Sequence, residues 1–407
     1  MSLVFHLITW IIDRFNLLIN GFNGCVLSVL WKVSKRSLYR LLSLLILFSL
    51  VSCAVRHHYS GRQLAGLRSE AARLVMVGFR GVEELPEELV YDLKDLKVGG
   101  VILFEYDAPS KSRPRNIVSP MQVRSLIARI KKEAGYKLLI AVDQEGGKVN
   151  RLKKGLGFPW IPSAEYIGEV NQPDTTLKYA QLMTQTLIQA GFNVNFAPCV
   201  DVNVNSLCPV IGGVQRSFSA DPKEVVKHAS VFVKTMDENG ILPVLKHFPG
   251  HGSAKTDTHE GFTDITATWV PEELDPYRLL MKQSNQFAIM TAHVFHRKYD
   301  TVYPATLSRP FVTDLLKKKL GYKGVVFSDD MMMGAITKNY DLATSIELAL
   351  NAGVDMLVFS NNIENYDPEI ARKVVETIVD LVERGRVSRK RIHEASQKVK
   401  RLTDWVN

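Results

Sequence analysis

At 407 residues, with 46% hydrophobic and 23% charged side chains, the chain is rich enough in apolar groups to exclude a disordered or fibrous polymer and long enough for a large core. Its formal charge of +9 is no nucleic-acid signature, because Arg14, Lys32, Lys35, Arg36 and Arg40 stand against Asp13 alone in residues 1–52, leaving about +5 on the rest. No basic block interleaved with aromatics follows, so nucleic acid is excluded as a partner.

The first segment reads as an address. Lys32 to Arg40 is basic, Leu41 to Ser52 is an apolar run, and Cys53 follows a small residue. The run is shorter than the ~20 residues that span a bilayer, so a signal region is expected over a permanent membrane helix. Leu50-Val51-Ser52-Cys53 resembles the lipobox of bacterial lipoproteins, which implies a lipid on Cys53 and a place in the bacterial cell envelope. The stretch before Lys32 is broken by Asp13, Arg14, Asn16, Asn20 and Asn23 and suggests a misassigned start. Residues 1–52 are thus expected as leader, 53–70 as a polar tether and 71–407 as the folded domain.

Eight short runs rich in apolar residues then recur: Leu74–Phe79, Gly99–Phe104, Lys137–Val142, Asn193–Pro198, Pro243–Lys246, Phe287–Thr291, Gly324–Phe327 and Asp355–Phe359. Helical patterns separate them: Pro120–Glu133, Asp174–Gln189, Asp221–Glu238, Pro271–Ser284, Arg309–Leu320 and Leu342–Asn351. Eight strands alternating with helices predict an α/β fold, a closed (β/α)₈ barrel of the TIM type. Two further helices, Pro368–Arg384 and Arg389–Trp405, follow the last strand, with Ser388 as N-cap of the second. The basic residues of that final helix, Arg389, Arg391, Lys398 and Lys400, read as a solvated face. Four cysteines are too few for a disulfide scaffold. Cys25 and Cys53 lie in the leader, Cys199 reads as a buried thiol in an apolar strand, and a bridge to Cys208 is the alternative.

Catalytic groups of such a barrel gather where strands end, and these ends are strongly polar. They carry Asp143-Gln144-Glu145, Asp201, Lys246-His247, His293 and Ser328-Asp329-Asp330. One such Asp is ordinarily a turn former or helix cap; five polar ends together point to a site.

Lys246 to His259 reads KHFPGHGSAKTDTH. With Asp143-Gln144-Glu145-Gly146-Gly147, Asn195-Phe196-Ala197-Pro198, Arg216-Ser217-Phe218 and Phe327-Ser328-Asp329-Asp330, it resembles the family 3 glycoside hydrolases, in their single-domain β-N-acetylhexosaminidase branch. The resemblance runs from about Ala71 to Trp405. It implies a retaining hydrolase acting on terminal N-acetyl-β-glucosaminides, with Asp329 as nucleophile, His259 as acid/base oriented by Asp257, and Asp143, Arg151, Arg216, Lys246 and His247 binding the sugar. Asp330 is the competing nucleophile, and His251 and His293 are wall candidates. Lys148 and the stretch Gly212-Gly213-Val214-Gln215 depart from the common pattern, which touches the pocket outline and not the chemistry.

The residue types suit that chemistry. Retaining cleavage needs a rigid carboxylate at the anomeric carbon and a separate proton donor, and an imidazole bonded to a carboxylate exchanges protons near neutral pH. No cofactor or metal is expected, since His247, His251 and His259 lack an established ligand geometry. A monomer is expected, with peptidoglycan-derived or chitin-type oligosaccharide as substrate. The alternatives are a β-glucosidase or β-xylosidase of the same superfamily and a catalytically silent, glycan-binding envelope lipoprotein.

Overall fold

The computed structural model describes residues 59–406, apart from 109, 112, 113, 285 and 364. The leader reading and the lipidation site Cys53 lie outside the described residues. Among the described residues no helix is long and apolar enough to cross a membrane.

Each of the eight apolar runs contains or overlaps one barrel strand: β1 (Val75–Gly78), β2 (Gly100–Ile102), β3 (Leu139–Val142), β4 (Val194–Asn195), β5 (Leu242–Phe248), β6 (Ala288–Thr291), β7 (Val326–Asp330) and β8 (Met356–Phe359). They pair in parallel and close on themselves in the order β1-β8-β7-β6-β5-β4-β3-β2. Met76 stands beside Val358 on one side and Gly100 on the other. Strands covered on both faces need apolar residues at successive positions rather than alternation, and β1, β3, β6 and β8 are buried along their whole length. Inside the barrel, Phe196 and Phe327 meet edge to face with centroids 5.8 Å apart.

The outer layer comprises α1 (Gly61–Ala72), α2 (Pro120–Ala134), α3 (Pro173–Ala190), α4 (Pro222–Asp237), α5 (Asp275–Gln283), α6 (Leu342–Ala352), α7 (Ile370–Glu383) and α8 (Arg389–Trp405). Local chemistry sets their ends. Ser119 accepts from the Gln122 amide ahead of α2, Pro120 occupies its first turn, and Gly135 closes it in the left-handed conformation. Ser388 caps α8 by accepting from the Arg391 amide, as its sequence position suggests.

Four features differ from the sequence reading. The stretch expected as a tether contains α1, opened by a reciprocal capping box between Ser60 and Gln63 and burying Leu67, Ala71 and Ala72; the fold therefore begins before Ala71. The run Asn193–Pro198 yields only Val194–Asn195 as strand, while Asn195 turns its side-chain amide to the Gln144 backbone. Arg309–Leu320 forms a π-helix at Pro310–Lys319, with the Leu320 amide reaching back to Leu315. The last helix is not simply a solvated basic face. Arg391 and Lys398 reach the buried Asp355, and Arg389 pairs with Glu70; Lys400 alone of the four stays with an exposed partner, Asp404.

Candidate active site

The C-terminal ends of the strands surround a cavity of about 480 Å³, within the ~300–1,000 Å³ usual for small-molecule sites. Asp143, Arg151, Arg216, Lys246, His247, His259 and Asp329 all line it, with Asp330 and His251. Asp257 stands behind His259. His293 is fully buried behind the wall, its Nε2 donating to the Asp330 carbonyl.

One side is a lattice of fixed charges. Lys246 Nζ lies 2.8 Å from Asp143 and 2.6 Å from Glu145. Arg216 grips both Glu145 oxygens, at 2.8 and 2.7 Å, so this arginine is held in the cavity wall rather than facing bulk water. Burial alone would raise the Glu145 carboxyl, but Arg216 and Lys246 pull it down to about 2. The same carboxylates hold Lys246 above its ordinary value despite its burial. One group that sequence reasoning did not single out is Glu145. Its signal was only its place after Asp143, since Arg216 is 71 residues away.

Asp201 holds the next piece. Its carboxylate accepts from the His247 ring at 2.7 Å, from the His247 and His251 amides, and from Cys199. Arg216 has no acceptor, so the His247 Nε2 that it meets at 3.1 Å must accept, which puts the His247 proton on Nδ1 toward Asp201. Burial would raise Asp201, yet His247 and His251 keep it below the usual carboxylate range. Cys199, Asp201 and His247 have the donor types of a metal site within 4.8 Å of one another. The carboxylate oxygens are nevertheless already satisfied by protein donors, and the arrangement is explained by orientation of His247. Cys199 and Cys208 are both free, buried thiols.

Asp329 and Asp330 differ in environment. The Asp330 carboxylate accepts from the Ser360 hydroxyl and the Ser360 and Met332 amides, which turns it into the wall. Burial raises it, the Ser360 bonds offset only part of that, and Asp329 pushes it further up. Asp329 accepts the Asp330 amide at 2.8 Å and otherwise meets the cavity. Burial opposes its charge too, but His293, His247 and that amide more than compensate, so it stays below its ordinary value. Two adjacent carboxyls pushed apart in this way have different chemical uses.

The fourth element is the loop from Lys255 to Phe262. His259 Nδ1 lies 2.7 Å from Asp257 Oδ1, which also takes the His259 amide. Because the carboxylate only accepts, Nδ1 carries a proton and Nε2 is left for exchange. The loop leans on the segment after β7: the Ala335 amide donates to the Thr258 carbonyl and the Lys338 Nζ to the Glu260 carbonyl. A Cβ at Gly334 would lie 2.6 Å from the His259 carbonyl oxygen, so the contact requires glycine. Gly252 serves the base of the loop likewise, where a Cβ would fall 1.8 Å from the Val202 carbonyl.

The sequence matches the Glycosyl hydrolase family 3 N terminal domain over residues 66–402. The chain belongs to glycosyl hydrolase family 3. Among family 3 relatives, a protein of Tolumonas auensis named Beta-hexosaminidase is 36% identical over 293 residues, covering 71% of this chain and 83% of its own. A solved family 3 beta-N-acetylglucosaminidase from Paenibacillus superposes with a TM-score of 0.75 at 31% identity, over 83% of this chain and 62% of that one. A Beta-N-acetylhexosaminidase from Beutenbergia cavernae superposes with a TM-score of 0.71 at 27% identity, over 83% and 98%. Against the family 3 pattern, the two departures noted in the sequence meet in space, since Lys148 donates to the Gly213 carbonyl at 3.2 Å.

Proposed function

We propose that this family 3 glycoside hydrolase is a retaining β-N-acetylhexosaminidase that removes terminal N-acetylglucosamine. The carrying observation is one cavity shared by Asp329, kept ionised, and His259, backed by Asp257. Asp329 attacks the anomeric carbon while His259 Nε2–H protonates the departing oxygen, so the C–O bond breaks as the carboxylate–sugar bond forms. The neutral imidazole then takes a proton from water, which displaces Asp329. Asp257 holds the ring and does not touch substrate. Asp143, Arg151, Arg216, Lys246 and His247 supply the donors and acceptors for the sugar hydroxyls. The names of the Tolumonas, Paenibacillus and Beutenbergia relatives favour the acetamido sugar.

Side-by-side rates on aryl N-acetyl-β-glucosaminide, β-glucoside and β-xyloside test this reading. The acetamido sugar should be fastest by a wide margin. A faster glucoside or xyloside moves the enzyme to the other branch, and no turnover of any leaves a glycan-binding protein.

The lipobox-like order of residues further supports a lipid on Cys53, attachment in the bacterial envelope, and peptidoglycan-derived or chitin-type oligosaccharide as natural substrate. Mass analysis of the native protein should find a lipidated N-terminal cysteine; an intact Met1 terminus would refute the anchor.

A further inference from the structure

Glu105 follows β2 at the cavity wall and is not among the residues to which the family pattern gives a role. Its side chain is 3% exposed, and Lys153 Nζ holds Oε1 at 2.5 Å. Its other oxygen, Oε2, is buried with no hydrogen-bond partner among the described residues. An unbonded buried carboxylate oxygen is costly and calls for a reason.

The neighbouring side chain has the complementary vacancy. Arg151 Nε is likewise buried without a hydrogen-bond partner and stands 3.8 Å from Glu105 Oε2. The same guanidinium lies 3.9 Å from Asp143 Oδ2 and 5.7 Å over the Phe104 ring. Arg151 is therefore poised between two carboxylates at distances too long to bond either. An oxygen that both donates and accepts, placed ~2.8 Å from each, would close the Glu105–Arg151 gap. A sugar hydroxyl has that capacity; an ether oxygen or a substituted position does not.

The barrel order says which part of the sugar arrives there. Asp329 ends β7, and β3, which carries Asp143, is the strand across the barrel from it, with β2 next to β3. In a pyranose, C4 lies across the ring from C1. With C1 at Asp329, the C4 hydroxyl and its exocyclic C6 neighbour face the β2–β3 side.

We propose that Glu105 is a specificity-determining residue which, with Arg151, binds a free hydroxyl on the C4–C6 edge of the terminal sugar and so restricts the enzyme to unsubstituted chain ends. This rests on the hexosaminidase reading above.

The test compares wild type with Glu105→Gln on an aryl N-acetyl-β-glucosaminide and its 4-deoxy and 6-deoxy analogues. A hydrogen bond to a charged group is worth about a ten- to hundredfold effect. E105Q should lose that much kcat/KM on the parent, and the loss should shrink to less than threefold on whichever analogue lacks the bound hydroxyl. An active wild type with E105Q unchanged, or with equal losses on all three substrates, overturns the Glu105 assignment alone. A wild type inert on the parent overturns the hexosaminidase reading and this assignment with it. Should E105Q be too unstable to assay, Glu105→Asp keeps the charge and withdraws the oxygen, and the same comparison decides.

Discussion

Asp355, just before β8, and Asp329, at the end of β7, are carboxylates at opposite ends of paired strands. Asp355 is fully buried and receives Lys317 at 3.0 Å, Arg391 at 2.9 Å, Lys398 at 3.5 Å and the Val326 amide at 3.1 Å. Asp329 receives the Asp330 amide and opens on a cavity. The bottom of the barrel thus saturates its acid with protein donors, whereas the top keeps hydrogen-bonding capacity unspent, at Asp329, Glu105 and Arg151. The same residue types serve stability at one face and a ligand at the other, as barrel architecture allows.

The contrast breaks most visibly at Asp329. Asp329→Asn should lower turnover about 10⁴- to 10⁶-fold while the thermal midpoint changes little, because the amide oxygen can still accept the Asp330 N–H. Activity near wild type would end its assignment as nucleophile.

Next in size is His259→Ala. Glycosides with poor leaving groups should slow about 10²- to 10⁴-fold, and activated aryl glycosides far less, since they depart unprotonated. Asp257→Ala should show the milder form. Equal losses on both substrate types would return His259 to binding.

Asp355→Asn should do the reverse of the Asp329 change. Denaturant unfolding should register a loss of about 3 kcal/mol, as when one partner is removed from a buried ion cluster, with kcat per folded molecule preserved. A fall in kcat without a fall in stability would make the bottom face functional.

The smallest effect is a pH slope. Burial, with His247 beside it, pushes the His251 imidazole from 6.5 down to about 4. Below pH 6.5 the unfolded chain gains a proton that the folded chain refuses until about pH 4, so stability should fall as pH drops through that window, by at most about 1.4 kcal/mol per unit. His251→Gln should flatten the urea-midpoint profile there; an unchanged slope assigns it to other groups.

What could be read in the sequence follows from how each feature is built. The strands were legible because a doubly covered strand is a continuous apolar run. The helix Gly61–Ala72 was not, because its buried set is only Leu67, Ala71 and Ala72, although Ser60 and Gln63 stood at capping-box spacing. Asp329, Lys246, His247 and the Asp257–His259 pair were legible from local patterns, and they do surround or back one cavity. Glu105 was passed over because no local pattern marks it; its partner Lys153 is remote in the chain. Arg391 and Lys398 misled for the same reason, since only the folded bottom face brings Asp355 to them.

The link between the Asp257–His259 loop and the segment after β7 has a consequence for any mutational survey. One of its bonds joins peptide groups, the Ala335 amide to the Thr258 carbonyl, beside the close approach at Gly334; the other runs from the Lys338 ammonium to the Glu260 carbonyl. Position 335 is already alanine, and trimming Thr258 leaves its carbonyl in place. Alanine scanning would therefore miss the Ala335–Thr258 bond and would register the link between the His259 loop and the segment after Asp329 only at Lys338, whose ammonium it removes, and at Gly334, where a Cβ meets the His259 carbonyl. The main-chain half of the link is thus indifferent to side-chain trimming, whereas the backbone path at Gly334 has almost no freedom.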